Sequence, residues 1–171
     1  MTLSLPARFA LTLMYLLLGL FALAQDAEPA DPTDNPVSVR LEIYVVSEVG
    51  GEERFTEATS ARPGQLIEYR LFARNEGDTT LPGGTVVVTG PVLEGTRFVA
   101  NSATPSSERI LTEYSVDGAV FGEPPLVLTS GATSRVAEPA EYRAVRWTLL
   151  EPMEPDDEEA FVYRVLLEPS D

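Results

Sequence analysis

The chain has 171 residues, with 27 acidic side chains against 12 basic ones and a net charge of −15 at neutral pH. It contains no histidine, cysteine or lysine, which excludes disulfide bonds, thiol and amine nucleophiles and imidazole bases from this chain. The acidity argues against binding to nucleic acid or to an anionic membrane surface, since both require a basic face.

The first 24 residues have the pattern of a secretory signal peptide. Arg8 is followed by an apolar run of about 14 residues, whereas a membrane-spanning helix requires roughly 20. Ala22 and Ala24 place small residues where signal peptidase requires them, so we expect cleavage after Ala24. An uncleaved anchor is the alternative. The sequence therefore predicts an exported protein of the periplasm or of the cell envelope or surface, which is not an integral membrane protein after cleavage.

The rest of the chain divides into a short tether and one domain. Residues 25–36 are acidic and rich in proline and lack apolar periodicity, which is typical of a flexible tether. Residues 37–171 are expected to form a single domain, and this length is enough for one hydrophobic core without disulfide bonds.

From residue 37 onward, turn signals separate short segments in which apolar and polar residues alternate, as in an all-β fold. In residues 37–46, for example, one face carries five apolar side chains: Val37, Val39, Leu41, Ile43 and Val45. Residues 48–53 predict a Gly-Gly turn, and Asp117-Gly118 predicts a two-residue hairpin. The segments amount to eight or nine strands, which suits two packed sheets.

The order of these motifs resembles a known family. Pro63-Gly64 precedes the strand that contains Tyr69, and Asn75-x-Gly77 ends it. A valine strand, a Gly-Thr turn and a Phe-Val strand follow, carried by Val86, Val88, Thr89, Gly95, Thr96, Phe98 and Val99. Over about residues 37–168 the chain resembles the "conserved repeat" domain of bacterial surface proteins (domain of unknown function eleven).

The resemblance implies an immunoglobulin-like β-sandwich that serves as a building block and assigns no reaction. The Asp117-Gly118 hairpin and the strand with Trp147 are similar to versions in envelope proteins of the Deinococcus–Thermus group. The chain departs from the family pattern at Gly90, where the family favours Asp, and at Leu93, where it favours Pro. These departures argue against an ion site at the turn that contains Gly90 and Leu93.

Four consecutive carboxylates are the candidate metal ligands, because hard cations such as calcium bind clustered oxygens. They are Asp156, Asp157, Glu158 and Glu159. Neighbouring residues on a turn diverge, and the spacing is not that of an EF-hand, so a solvated turn is the favoured interpretation.

The sequence predicts no catalytic residue and no cofactor. The acids Glu141 and Glu151 could serve glycoside cleavage only at a defined separation, which one sequence does not establish. Ser102, Ser106 and Ser107 have no histidine in the chain to act as a base, so a hydrolase triad is excluded.

The remaining candidates are core and interaction residues. The phase of the strands places four aromatic residues in the core: Tyr69, Phe98, Trp147 and Tyr163. An exposed Trp147 would instead suggest a sugar-binding platform. Glu68, Arg70 and Phe72 are predicted to face outward as an interaction patch, because Phe72 is an apolar residue among charges. The alternative is that Phe72 is covered by its own domain.

Together these features predict an exported, non-catalytic structural or interaction module of the bacterial cell envelope. Its expected partner is another envelope protein, and no nucleic acid or small-molecule substrate is expected. The alternative function is a carbohydrate- or calcium-binding adhesin module, which would require an exposed aromatic side chain or an ordered carboxylate cluster.

Overall fold

Segments of alternating polarity build an all-β sandwich in the computed structural model, which describes residues 35–169. The described residues form ten β-strands and one turn of 3-10 helix, Pro139–Glu141. The strands are β1 (Val37–Val49), β2 (Glu52–Glu57), β3 (Leu66–Asn75), β4 (Val87–Pro91), β5 (Thr96–Phe98), β6 (Ile110–Ser115), β7 (Val127–Ser130), β8 (Thr133–Val136), β9 (Ala144–Leu149) and β10 (Glu158–Leu167). The predicted signal peptide, and the predicted tether as far as Asp34, lie outside the described residues.

The strands form two main antiparallel sheets and a separate hairpin. The large sheet has the order β2-β1-β3-β10-β5, the small sheet has the order β4-β9-β6, and β7 pairs with β8. The sequence pattern predicts eight or nine strands, and the segment that it does not reveal is β8. All four residues of β8 are exposed, so the strand has no buried face that periodicity could indicate.

The hydrophobic core lies between the large and small sheets. Strand β4 packs over β3. Strand β9 faces β10 through Trp147, whose ring stacks on Phe161 with 5.3 Å between centroids. Strand β6 faces β5 through Tyr114 and Phe98, at 5.5 Å. The small sheet therefore covers β3, β10 and β5 of the large sheet.

The four aromatic residues that the strand phase places in the core differ in burial. Phe98, Trp147 and Tyr163 are buried, whereas Tyr69 is half-buried. Tyr69 stacks on Tyr163 with 5.0 Å between centroids, at the side of the core. The hydroxyl of Tyr163 donates a hydrogen bond of 2.7 Å to the carbonyl of Pro91, so the buried phenol is satisfied.

The close approach of β4 to Tyr163 requires a glycine. A Cβ atom at Gly90 would lie 2.5 Å from a ring carbon of Tyr163. Any side chain at this position would displace the ring from the core. The glycine at position 90 therefore has a local packing reason.

The first half of β1 extends beyond the small sheet. Val39 and Leu41 pair with Ala73 and Leu71, which are buried, so all four side chains lie on the inner face. Val39 and Leu41 are nevertheless each 52% exposed, because the strands of the small sheet lie over β3, β10 and β5. The alternation predicts their face correctly but not their burial.

Two predicted turns have different outcomes. Gly50 and Gly51 form the tight connection between β1 and β2, with φ of +66° and +85°, which favours glycine. The predicted two-residue hairpin at Asp117-Gly118 is wrong, because Tyr114 exchanges both backbone hydrogen bonds with Gly122 and a longer loop separates them. The side chain of Asp117 binds backbone N–H groups inside that loop.

Candidate interaction surface

The outer face of the large sheet carries a cluster of arginine and aromatic side chains, which we call the outer aromatic face. The pairing of β1 with β2 and β3 brings its members together: Arg40, Tyr44, Phe55, Arg70 and Phe72. Glu68, Arg70 and Phe72, the predicted interaction residues, all lie on this face of β3. Their accessibility differs, however, and only part of the predicted patch is open to a partner.

Glu68 is buried beneath arginines and is 3% exposed. Its carboxylate accepts hydrogen bonds of 2.7 Å from Nε of Arg70 and of 2.7 Å from Nε of Arg164 on β10. Arg164 also donates to both carboxylate oxygens of Glu53 on β2, at 2.7 and 2.8 Å. These hydrogen bonds lower the pKa of Glu53 and raise that of Arg164. Glu68 thus holds the face together and is not itself a contact residue.

Guanidinium groups stack on the aromatic rings of this face. Arg40 lies 4.1 Å from the centroid of Phe72. Arg70 lies 4.6 Å from the centroid of Tyr44 and 4.7 Å from that of Phe55. Because hydrogen bonds from Arg70 to Glu68 fix the guanidinium, the stack is ordered without any partner.

Phe72 and Phe55 differ in exposure. Phe72 is half-buried under Arg40, so it is covered in part by its own domain. Phe55 is 41% exposed and is the most open aromatic ring of this face. Phe55 is not among the interaction residues predicted from the sequence, although an aromatic residue among the charges of β2 is the same signal that indicates Phe72.

Glu42 links two members of the outer aromatic face on β1, Tyr44 and Arg40. The hydroxyl of Tyr44 donates a hydrogen bond of 2.8 Å to Glu42, and Arg40 also donates to Glu42. The hydrogen bond from Tyr44, followed by the charge of Arg40, lowers the pKa of Glu42. These contacts join Tyr44 and Arg40 through one carboxylate.

The four acidic residues of the candidate metal site point to different partners. The carboxylate of Asp156 accepts from Arg74 at 2.7 Å, and that of Asp157 accepts from the backbone N–H of Glu154 at 3.1 Å. Glu158 lies 3.6 Å from Arg40, and Glu159 lies 3.3 Å from Arg109. Within residues 35–169, no group of three or more acidic side chains is arranged to hold a metal ion.

The acids and serines weighed for catalysis are engaged in local structure. Glu141 forms a bidentate pair with Arg135, with both distances 2.6 Å, and Glu151 pairs with Arg109 at 2.6 Å. The hydroxyls of the three serines bind backbone groups beside the strands; these residues are Ser102, Ser106 and Ser107.

A surface cleft of about 580 Å³ lies beside β5 and the 3-10 turn. Its lining is mainly apolar and includes Leu66, Val99, Pro139 and Leu166. A ligand site of specific chemistry would need several convergent polar groups, and the charged residues that line this cleft are Arg97 and Glu138.

Comparisons with protein-family models, with curated proteins and with solved structures find no match to this chain. The resemblance to the conserved repeat domain therefore stays a prediction that rests on the order of the sequence motifs. Within residues 35–169, the structure contains no helix with the length and apolar character needed to cross a membrane.

Proposed function

We propose that this protein is an exported, non-catalytic interaction module of the bacterial cell envelope that docks on another envelope protein. The observation that carries the proposal is the outer aromatic face, where Phe55 is exposed beside the ordered guanidinium of Arg70. The signal-peptide pattern of residues 1–24 and the resemblance to the conserved repeat domain support the location and the role as a building block.

The physical properties of the outer aromatic face suit protein recognition. Arginine and aromatic side chains dominate the binding energy of many interfaces, because they combine apolar area with directed hydrogen bonds. Arg70 and Arg164 are held by Glu68 before any partner binds. A partner therefore meets a surface whose side chains lose little conformational entropy on binding.

Crosslinking in intact cells tests the docking surface. Mass spectrometry is expected to identify a different envelope protein crosslinked to the wild-type chain, and Phe55→Ala and Phe72→Ala are expected to reduce its yield. Val87→Ala is the matched control, because Val87 is 50% exposed on the small sheet, away from the outer aromatic face. Equal yields from all the variants, or crosslinks to the same chain alone, would refute docking through this face.

The native N-terminus tests export separately. Intact mass of the protein recovered from the envelope is expected to correspond to a chain that begins at Gln25, after the Ala22-Leu23-Ala24 pattern. Recovery of the chain from Met1 in the envelope would support an uncleaved anchor and would contradict cleavage.

A further inference from the structure

Strand β2 is an open edge of the large sheet. It is the outermost strand of the order β2-β1-β3-β10-β5, and it pairs with β1 in an unbroken register from Glu52 to Glu57. All of its residues are exposed. Within residues 35–169, no strand pairs with β2 on the side away from β1. The backbone on that side is therefore accessible to another chain, and an unprotected edge is a template for strand addition.

The backbone groups that face this open side belong to Glu53, Phe55 and Glu57. The N–H of Ala58 donates to the carbonyl of Ile43 at 2.8 Å, so these two residues form a hydrogen-bonded pair of the antiparallel ladder. Hydrogen-bonded and non-hydrogen-bonded pairs alternate along such a ladder. Every second residue of β2, beginning with Glu57, therefore directs its N–H and C=O groups away from β1. No hydrogen bond within residues 35–169 engages these groups.

The side chains of the same three residues lie on the outer face of the sheet. The ring of Phe55 has the guanidinium of Arg70 4.7 Å from its centroid, and Glu53 accepts hydrogen bonds from Arg164. Because side chains alternate along a strand, Glu57 shares this face. A strand added at β2 would therefore extend the outer aromatic face. One apolar residue of that strand would cover Phe55, which is 41% exposed.

Carboxylates without an arginine partner are concentrated at this edge. Every strand carboxylate of residues 35–169 that lies outside the hairpin of β1 and β2 forms an ion pair with an arginine. In the hairpin, three carboxylates have no ion-pair partner among the described residues: Glu48, Glu52 and Glu57. Arg54, the basic residue of β2, lies on the opposite face from Glu57. The outer side of this edge therefore retains uncompensated negative charge.

We propose that β2 is the strand through which the protein docks, and that it pairs antiparallel with an extended, basic segment of the partner. This inference rests on the docking function proposed above. Basic residues of the segment lie opposite Glu53 and Glu57, and an apolar residue lies opposite Phe55. The segment thus has the pattern basic, any residue, apolar, any residue, basic. Its main chain supplies hydrogen bonds to the free groups of β2, and its alternate side chains supply the specificity.

A second copy of this chain does not have the complementary pattern. In antiparallel self-pairing centred on Phe55, Glu53 of each copy lies opposite Glu57 of the other, and like charges directly opposite each other are destabilising. A shift of the centre by one residue in either direction places a glutamate opposite Phe55, and a shift by two places a glutamate opposite itself. The net charge of −15 adds repulsion between whole molecules. The charge at this edge therefore favours a basic partner over self-association.

NMR titration of the full chain, purified from a host that exports it, tests the pairing with the end-blocked peptide Thr-Lys-Thr-Val-Thr-Lys-Thr. The amide signals of Glu53, Phe55 and Glu57 are expected to shift. Those of Arg54 and Thr56, whose N–H groups already face β1, are expected to change less. The same peptide with glutamate in place of lysine is expected not to bind. Equal shifts with both peptides, or no shift with the lysine peptide up to about 5 mM, would overturn the proposal.

N-methylated peptides separate strand addition from simple attraction between charges. A methyl group on the backbone nitrogen of the valine removes a donor that faces β2, whereas one on an adjacent threonine removes a donor that faces away. The first change is expected to weaken binding about tenfold, and the second by less than about twofold. Equal affinity of the two peptides would overturn strand addition but leave docking through the side chains of the outer aromatic face standing. A greater loss with the methylated threonine would overturn the antiparallel pairing.

Substitutions in the protein test the charges at the edge. Glu57→Gln is expected to weaken binding of the lysine peptide about two- to fivefold, since it removes one pair of opposite charges across the strands. Glu123→Gln removes an exposed carboxylate outside β2 and is the matched control, with no change expected. Equal losses from both variants would show attraction to the net charge alone and would overturn the proposal.

The peptide measurements and the crosslinking in intact cells fail independently. The peptide is synthetic, so its binding to β2 does not depend on which envelope protein the crosslinking identifies. Absence of a crosslinked partner would refute the proposed docking function, whereas failure of the lysine peptide to bind at β2 would refute strand addition.

Discussion

Trp147 is held on several sides within the core. It is 0% exposed and stacks on Phe161, and its indole N–H donates a hydrogen bond of 3.0 Å to the carbonyl of Thr104. Its neighbours in phase on β9, Val145 and Leu149, are also buried. A ring in this position cannot present a face to a sugar, so the carbohydrate-platform interpretation of Trp147 loses its structural basis.

Truncation of Trp147 is therefore expected to be severe. Trp147→Ala should lower the free energy of unfolding by about 3–5 kcal/mol, because it removes buried contacts and leaves a cavity. Guanidinium unfolding monitored by circular dichroism would measure the change. Phe55→Ala is the control on an exposed aromatic residue, with a much smaller expected loss. A loss below about 1 kcal/mol for Trp147→Ala would indicate that the ring contributes little packing.

At the scale of elements, the side chain of Asp117 organises the loop between β6 and Gly122. Its hydrogen bonds engage backbone groups of the loop that no described strand pairs with. Oδ1 of Asp117 accepts hydrogen bonds from the backbone N–H groups of Val120 and Ala119, at 2.9 and 2.8 Å. It also accepts from the hydroxyl of Ser115 at 2.8 Å. These donors stabilise the charged form and lower the pKa of Asp117 from 3.8 to about 2.

The depressed pKa of Asp117 predicts a defined acid sensitivity. The ionised carboxylate stabilises the fold above its unfolded pKa of 3.8, and this contribution is lost as the pH falls through about 2. Asp117→Asn keeps the acceptor oxygen but cannot ionise, so its melting temperature should lie below that of the wild type at pH 7. The difference should shrink between about pH 4 and pH 2.

Thermal melting at a series of pH values would measure this difference. Glu123→Gln removes one negative charge just beyond the same loop and serves as the control. A gap between the wild type and Asp117→Asn that stays constant down to pH 2 would contradict the role assigned to the carboxylate.

At the scale of the whole molecule, the excess of acidic residues is spread over many separate partners in the part of the chain that the structure describes. The acids of the candidate metal turn are distributed among Arg74, Arg40, Arg109 and one backbone N–H. Such exposed pairs contribute little individually and are screened by salt. Among residues 35–169, no three acidic side chains lie together in an arrangement that could hold a metal ion.

Calcium should therefore leave the stability of the protein nearly unchanged. A site filled at 100 times its dissociation constant would add about 2.7 kcal/mol, which a thermal melt would detect. Melting temperatures in calcium and in EDTA are expected to agree when sodium chloride matches the ionic strength. A calcium-dependent increase that Asp157→Asn removes would show that the acidic turn binds the ion.

Much of the fold follows from local patterns in the sequence. Alternating polarity indicates the all-β class and the face on which each side chain lies, as Trp147 on the inner face and Arg70 on the outer face illustrate. Periodicity reports these properties because the side chains of a strand alternate strictly. The absence of histidine, cysteine and lysine likewise restricts the chemistry of the chain without any structure.

The extent of each sheet, by contrast, is decided only by contacts between distant parts of the chain. Glu68 is buried because Arg164, 96 residues away, is brought beside it when β10 pairs with β3. Val39 and Leu41 have the same alternation as the buried positions of β3 but are exposed, because the large sheet has five strands and the small sheet three. A strand's own sequence indicates which way its side chains point. Whether another sheet covers them depends on how far that sheet extends, and this non-local property leaves Val39 and Leu41 exposed on the inner face of β1.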